Sequence, residues 1–243
     1  MNTSFNMTAE KLFLDLHSFF EENADPAIVQ KYSRYFKEGF PGFGLQPGLF
    51  EQKVDSVLEQ PEVTLDLILK TAPLLLETGK YEETSAAIRM TIKHKKQFNR
   101  STFIEVEKWF SIGINNWAHT DYICGDAMHL FFKMKIIQMN DLKDWRRANN
   151  KFQRRAVPVS LIKPMKTSAD FQPFFDFLDP MMMDPEREVH QGLGWFLREA
   201  WKKQPEPTER FLLKWKNTAP RLIFQYATEK MTPEEKQRFR REK

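Results

Sequence analysis

The chain has 243 residues, 41% of them hydrophobic and 14% aromatic, with 29% charged residues and a net charge of +4. That composition supports a substantial core. It also means that any nucleic-acid surface must come from clustering of cations rather than from bulk charge. The single cysteine, Cys124, excludes an intrachain disulfide and any thiol-rich zinc site, and suits a reducing compartment.

Glycine is sparse, at 9 residues, and β-branched alternation is nearly absent, while Glu, Lys, Leu, Phe and Met dominate. The chain therefore reads as all-α. Residues 1–10 are polar and lack a basic head followed by an apolar run, so no signal peptide is expected. The apolar-rich stretch 65–76 is interrupted by Asp66, Lys70 and Pro73, so no segment is expected to span a bilayer. A cytoplasmic protein without membrane contact follows as the expectation.

Thr8 reads as the N-cap of a helix to about residue 23, with Leu12, Leu16, Phe19 and Phe20 on one face. Asp25-Pro26 starts a second helix over 26–37 by the N-cap and proline-at-N1 pattern, carrying Tyr32, Tyr35 and Phe36. Residues 39–48 form a glycine- and proline-rich turn. Helices are expected over 49–59, 61–78 and 81–97, with Pro73 kinking or splitting the second. Ser101 or Thr102 caps a helix to about 114.

A helix then starts at Asn115 or Asn116 and runs to about 135. Further helices are expected over 141–148 and 151–162, the latter containing Pro158, then over 170–178 and from Asp184-Pro185 to 203. Segments 206–215, 220–229 and 233–241 complete the chain, and the basic tail 236–243 is expected to fray. Paired helices every 35–45 residues suggest an α-solenoid, a superhelix of HEAT-like antiparallel pairs, whose concave side could hold a long charged ligand. An irregular helical globule is the alternative. No composition break marks a boundary, so residues 1–243 are read as one domain.

Three stretches carry the candidate chemistry. In the heptapeptide 115–121, Trp117 lies four residues before Asp121, so on a helix the indole and the carboxylate share a face near the positive end of the helix dipole. An aromatic plane beside a fixed anion suits a flat cationic ligand. A packed tryptophan beside a solvated carboxylate is the plainer alternative. Arg146, Arg147, Lys151, Arg154, Arg155, Lys163 and Lys166 crowd 21 residues, with no acidic residue between Asp144 and Asp170. This is the best phosphate-contacting surface, or else a solvated basic face. Smaller clusters are Lys93, Lys95, Lys96 and Arg100, and Lys133 and Lys135.

Gly192 and Gly194 each cost a helix about 1 kcal/mol relative to Ala, so they signal close approach of a neighbour. Trp195 follows them, and as a residue type it reads first as core. The five histidines have no metal-ligand spacing. There is no His-Glu-x-x-His, nucleophile elbow or phosphate-cradling glycine loop. No metal or cofactor is expected. Met181–Met183 and the phenylalanines read as core filler.

The runs Asn116-Trp117-Ala118-His119-Thr120-Asp121, Phe152-Gln153-Arg154-Arg155-Ala156-Val157 and Gly194-Trp195-Phe196-Leu197-Arg198-Glu199 resemble the DNA alkylation-repair family of AlkD-like DNA glycosylases. The likeness is strongest over 81–229. Phe40-Pro41-Gly42-Phe43-Gly44-Leu45 resembles the family's loop, whereas Gly48-Leu49-Phe50-Glu51 lacks the expected Pro-x-Arg, and Pro158 departs from the apolar helix after the arginine.

The resemblance implies HEAT-like repeats with a basic concave groove for duplex DNA. It implies excision of cationic N3- or N7-alkylated purines from DNA without metal or cofactor. A monofunctional glycosylase acting as a monomer is expected. By the same resemblance Asp121 is the catalytic carboxylate, Trp117 and Trp195 are active-site tryptophans, and Arg155, or its neighbour Arg154, is the DNA-contacting arginine. Lys93, Lys96, Arg147, Lys151, Lys163 and Arg198 complete the expected DNA contacts. The competing expectation is a HEAT-like scaffold that binds nucleic acid or protein without catalysis.

Overall fold

The computed structural model of the protein describes residues 7–37, 39–46 and 48–242. Among them every regular element is helical, and no helix is long and apolar enough to cross a membrane. The chain groups into two compact units, Met1–Ile114 and Asn115–Lys243.

The first unit contains α1 (Ala9–Glu22), α2 (Pro26–Ser33), α3 (Leu49–Leu58), α4 (Leu65–Glu77), α5 (Tyr81–Lys93) and α6 (Arg100–Ile112). Thr8 and Asp25 cap α1 and α2 as read from the sequence. α2 stops at Ser33, four residues short of the expected end. α6 is capped not by Ser101 or Thr102 but by Asn99, whose side chain accepts from the Thr102 amide while the Thr102 hydroxyl oxygen accepts from the Asn99 amide. Pro73 does not split α4 into two elements, because the helix runs unbroken through it. Leu12, Leu16 and Phe20 of α1, Ile68, Leu75 and Leu76 of α4, and Phe103 and Val106 of α6 fill the core. Gly113 lies against the carbonyl of Leu76, so α4 and α6 meet at their C-terminal ends. The 40–45 loop is tied down by Glu82, whose carboxylate accepts from the amides of Phe43 (2.8 Å) and Gly44 (2.9 Å). Gly44, at φ 79°, supplies the left-handed turn this needs.

The second unit contains α7 (Trp117–Tyr122), a π-helical segment (Ile123–Met128), α8 (His129–Lys133), α9 (Lys151–Lys166), α10 (Gln172–Leu178), α11 (Arg187–Trp201), α12 (Pro205–Trp215), α13 (Arg221–Ala227) and α14 (Pro233–Gln237). The expected helix to residue 135 is thus three successive helical segments that end at Lys133. The expected helix over 141–148 is a pair of 3-10 turns, Met139–Leu142 and Asp144–Arg147. α9 passes through both Pro158 and Pro164 and runs four residues beyond its expected end. The helix expected from Asp184-Pro185 starts at Arg187, because the Asp184 carboxylate caps the turn before it by accepting from the Glu186 amide.

Packing in this unit has a recurrent register. Asp121 meets Arg155, Arg155 meets Glu188, Lys166 meets Glu199 and Gln191 meets Tyr226. Each pair is 33–35 residues apart, so the α7–α8 run, α9, α11 and α13 lie side by side and point the same way. That is the layering of HEAT-like repeats, with a somewhat shorter period than the 35–45 residues anticipated. α9 sits in the middle of this layer, which explains why Ala156, Val157, Pro158, Leu161 and Met165 are buried.

Candidate active site

The site is built on the start of α7. Asn116 is the N-cap: its Oδ1 accepts from the His119 amide at 2.9 Å and its Nδ2 lies 2.8 Å from His119 Nδ1. The Thr120 hydroxyl donates to the Asn116 carbonyl at 2.8 Å. This buried network fixes the first turn, and with it the direction of Trp117 and Asp121, which share a face as the i, i+4 spacing requires. Asp121 is the fifth residue of α7, beyond the first turn where the dipole acts, so the expected support from the helix end is not its main electrostatic partner.

That partner is Arg155. Its Nε donates to Asp121 Oδ1 at 2.9 Å and its Nη2 to Oδ2 at 2.8 Å, a bidentate pair. Its Nη1 donates to the main-chain carbonyl of Glu188 at 2.8 Å. Arg155 is 5% exposed, so its guanidinium faces the carboxylate rather than solvent. The Asp121 side chain stays 19% exposed. A carboxylate offers about four lone-pair positions and Arg155 takes two, so Asp121 keeps acceptor capacity toward the solvent side.

Trp117 is 42% exposed and Trp195 half-buried, so neither is the packed core residue that its type alone suggests. Trp195 lies one turn beyond Gly192 on α11. A Cβ at Gly192 would stand 3.3 Å from the Cγ and carbonyl oxygen of Arg155 and from the Cγ of Pro158. At Gly194 it would stand 2.4 Å from Tyr226 Cβ. The two glycines thus let α11 approach α9 on one side and α13 on the other. The half-exposed strip between those sides carries Glu188, Gln191, Trp195 and Arg198, spaced three and four residues apart. Gln191 Nε2 donates to the Tyr226 hydroxyl at 2.9 Å on that strip.

The cations named from the sequence fall into two groups. Arg154 is turned inward: its Nε pairs with Asp184 at 2.7 Å and its Nη1 donates to the carbonyls of Ala148 (2.7 Å) and Asn149 (3.1 Å). Lys151 pairs with Glu188 at 2.9 Å, Arg198 pairs with Glu229, and Lys93 lies 3.4 Å from Asp55. Arg147, Lys163 and Lys96 are exposed, with Lys163 donating to the Gly125 carbonyl. Lys93 and Lys96 belong to the first unit and the others to the second. Surface ion pairs are worth about 0–1 kcal/mol, so Lys151, Arg198 and Lys93 can exchange carboxylate for phosphate at little cost.

Beneath the acid–base pair lies Cys124, whose thiol faces the Ala156 carbonyl at 3.6 Å. Burial, with a smaller contribution from the Asp121 charge, pushes its pKa up to about 12 and makes it a poor nucleophile. Glu188, Gln191, Tyr226 and the His119 anchor were not singled out from the sequence. The recurring 33–35-residue register is the signal that would have found the first three.

The model of the DNA alkylation repair enzyme family matches residues 16–231. Among solved structures, a protein described as a predicted DNA alkylation repair enzyme from Enterococcus faecalis superposes with a TM-score of 0.71 at 14% identity. The match covers 87% of this chain and 98% of that one. At that identity the likeness concerns the fold, which is the all-α fold expected from composition. No curated protein matches the sequence. With the family model spanning nearly the whole chain, this protein belongs to the DNA alkylation repair enzyme family.

Proposed function

We propose that the protein is a monofunctional DNA glycosylase that hydrolyses the N-glycosidic bond of N3- and N7-alkylated purines in duplex DNA. The observation that carries this reading is the Asp121 carboxylate, held in a bidentate grip by Arg155, open on one side, and four residues from the exposed Trp117. Alkylation at a ring nitrogen makes the base cationic and a better leaving group. As the C1′–N bond lengthens, positive charge develops on the deoxyribose. A preorganised carboxylate stabilises that charge without reorganisation at the moment of reaction. The bonding pair leaves with the base, neutralising its charge, while the outward lone pairs of Asp121 accept a hydrogen bond from the attacking water, whose oxygen bonds to C1′ and whose proton passes through the carboxylate to solvent. The products are the free alkylated base and an abasic site.

Trp117 and Trp195 present π-faces to the cationic base and sugar. Arg155 acts as a positioning residue for Asp121 rather than as the phosphate clamp that the resemblance implies. Phosphate contacts fall instead to exposed cations such as Arg147 and Lys163, and to Lys151, Arg198, Lys93 and Lys96 by exchange of partners. The protein works as a monomer in the cytoplasm, on the nucleoid.

The test is release of alkylated purines from methylated duplex DNA by wild type and by Asp121→Asn. Excision by the wild type, lost by at least about 100-fold in the variant with duplex affinity retained, is the expected result. A folded wild type that binds duplex but releases no base would move the protein to a non-catalytic, damage-binding scaffold.

A further inference from the structure

Two helical turns beyond the Asp121–Arg155 pair, a cavity of about 340 Å³ opens between α8 and the C-terminal end of α9. It is lined by His129, Phe132, Lys133, Lys163, Pro164 and Thr167. His129 is eight residues past Asp121 and Lys163 eight past Arg155, which sets the cavity about 12 Å farther along the same pair of parallel helices. We propose that this cavity binds one sugar-phosphate unit, its phosphate held by Lys133, Lys163 and protonated His129.

The lining contains three nitrogen-bearing cationic or cationisable groups and no carboxylate. Lys163 spends one donor on the Gly125 carbonyl, where the π-helical segment exposes it, and an ammonium has three. That bond fixes the ammonium at the mouth of the cavity instead of leaving it on a free stem. Lys133 has no carboxylate partner among the described residues. Phe132 and Pro164 supply an apolar wall suited to a deoxyribose, and the Thr167 hydroxyl is already donated to the Pro164 carbonyl at 2.9 Å. The volume exceeds that of a bare phosphate and fits phosphate plus sugar.

Two ammonium groups beside an imidazole repel a metal cation, so the chemistry that fits is an anion. The protein groups around His129 by themselves disfavour its charged form. Burial first, then the nearby Lys163 and Lys133, depress its pKa below 6.5, while the exposed Asp126 opposes them. A phosphate placed among these groups reverses the two lysine contributions and draws a proton onto the imidazole.

The phosphate can come from the DNA backbone or from a free phosphate. As a DNA contact the proposal rests on the duplex-binding reading above, and as an anion site it stands apart from it. The experiment follows the His129 imidazole by NMR through a pH titration of the full chain. It is run with sodium chloride, with inorganic phosphate at matched ionic strength, and with undamaged duplex, alongside a gel-shift measurement of duplex binding. The expected result is a rise of at least about half a pH unit in the His129 midpoint with phosphate and with duplex. The rise should be absent with chloride and reduced in Lys133→Met, whose exposed position leaves folding intact. A rise with phosphate alone supports the site with free phosphate as its source. If duplex also fails to bind, that same result leaves the site standing and removes the DNA reading. Normal duplex binding with an unmoved His129 in both phosphate and duplex would overturn the proposal and leave the DNA reading in place. So would an equal rise in chloride.

Discussion

Gly192 of α11 lies directly against Arg155 of α9, with only 3.3 Å between the position of a missing Cβ and the arginine's Cγ. Arg155 in turn reaches Asp121 and the Glu188 carbonyl. The carboxylate is therefore positioned through a chain of contacts that begins at a glycine on another helix. Gly192→Ala gains up to about 1 kcal/mol of helix propensity but pushes the guanidinium by a few tenths of an ångström. Thermal stability should change by less than about 1 kcal/mol while excision falls roughly tenfold, since small misplacements of catalytic groups are costly. Gly194→Ala differs: its methyl would sit 2.8 Å from the Ile223 carbonyl and closer still to Tyr226 Cβ. It should lose about 1–3 kcal/mol by overpacking. Denaturant midpoints of the two variants, read beside base release, check both halves.

Arg155→Lys separates positioning from phosphate clamping. Lysine keeps the charge but loses the two-pronged grip on Asp121 and the bond to Glu188. The expected outcome is a folded protein, less stable by about 1–3 kcal/mol, with unchanged duplex affinity and a single-turnover rate down at least about tenfold. A loss confined to the dissociation constant would instead assign Arg155 to the DNA backbone.

Trp117→Ala should dissociate activity from stability. Because the indole is 42% exposed, its removal should cost less than about 1 kcal/mol of unfolding free energy. Base release should nonetheless fall by about tenfold or more if the ring faces the lesion. Paired urea titrations and excision assays read the two effects separately.

Acid should weaken the α9–α11 contact through Glu199. Burial raises the pKa of its carboxyl, but hydrogen bonds and charge from Lys166 and Lys202 outweigh burial and hold it below 4.5. A carboxyl whose folded pKa is depressed contributes stability that is complete above its unfolded value and lost as pH falls through the folded one. Glu199→Gln should therefore be less stable than wild type at pH 7, and the difference should shrink as pH drops below about 4.5. Melting curves from pH 7 to pH 3 for both proteins test this.

Cys124 should be inert to thiol reagents in the folded protein. A buried thiol with its pKa pushed up to about 12 carries almost no thiolate at neutral pH. Labelling should proceed only after unfolding, so its rate with increasing denaturant should follow the unfolding transition. Fast labelling of the native state at pH 8 would contradict the burial of the π-helical segment.

Much of the fold was legible because it depends on local chemistry. Thr8, Asp25 and Asn116 cap helices where their side chains sit beside amides that have no intrahelical partner. Pro73 was expected to kink or split α4, and α9 was expected to end at 162, before Pro164; both helices run through their prolines, because packing around α4 and α9 outweighs a missing hydrogen bond. The π-helical segment after Tyr122 has no local signature and was invisible.

By itself the sequence determined the all-α class, the caps and the placing of Trp117 and Asp121 on one face of α7, since these follow from composition and a 3.6-residue period. Only the tertiary structure decided which cations face solvent and which are consumed inside. Arg154 and Arg155 are adjacent and chemically alike, yet one is pinned by Asp184 and the other by Asp121. Those partners lie 30 and 34 residues away, one in the turn before α11 and the other on α7, and no local pattern encodes a contact that forms only when neighbouring repeats stack.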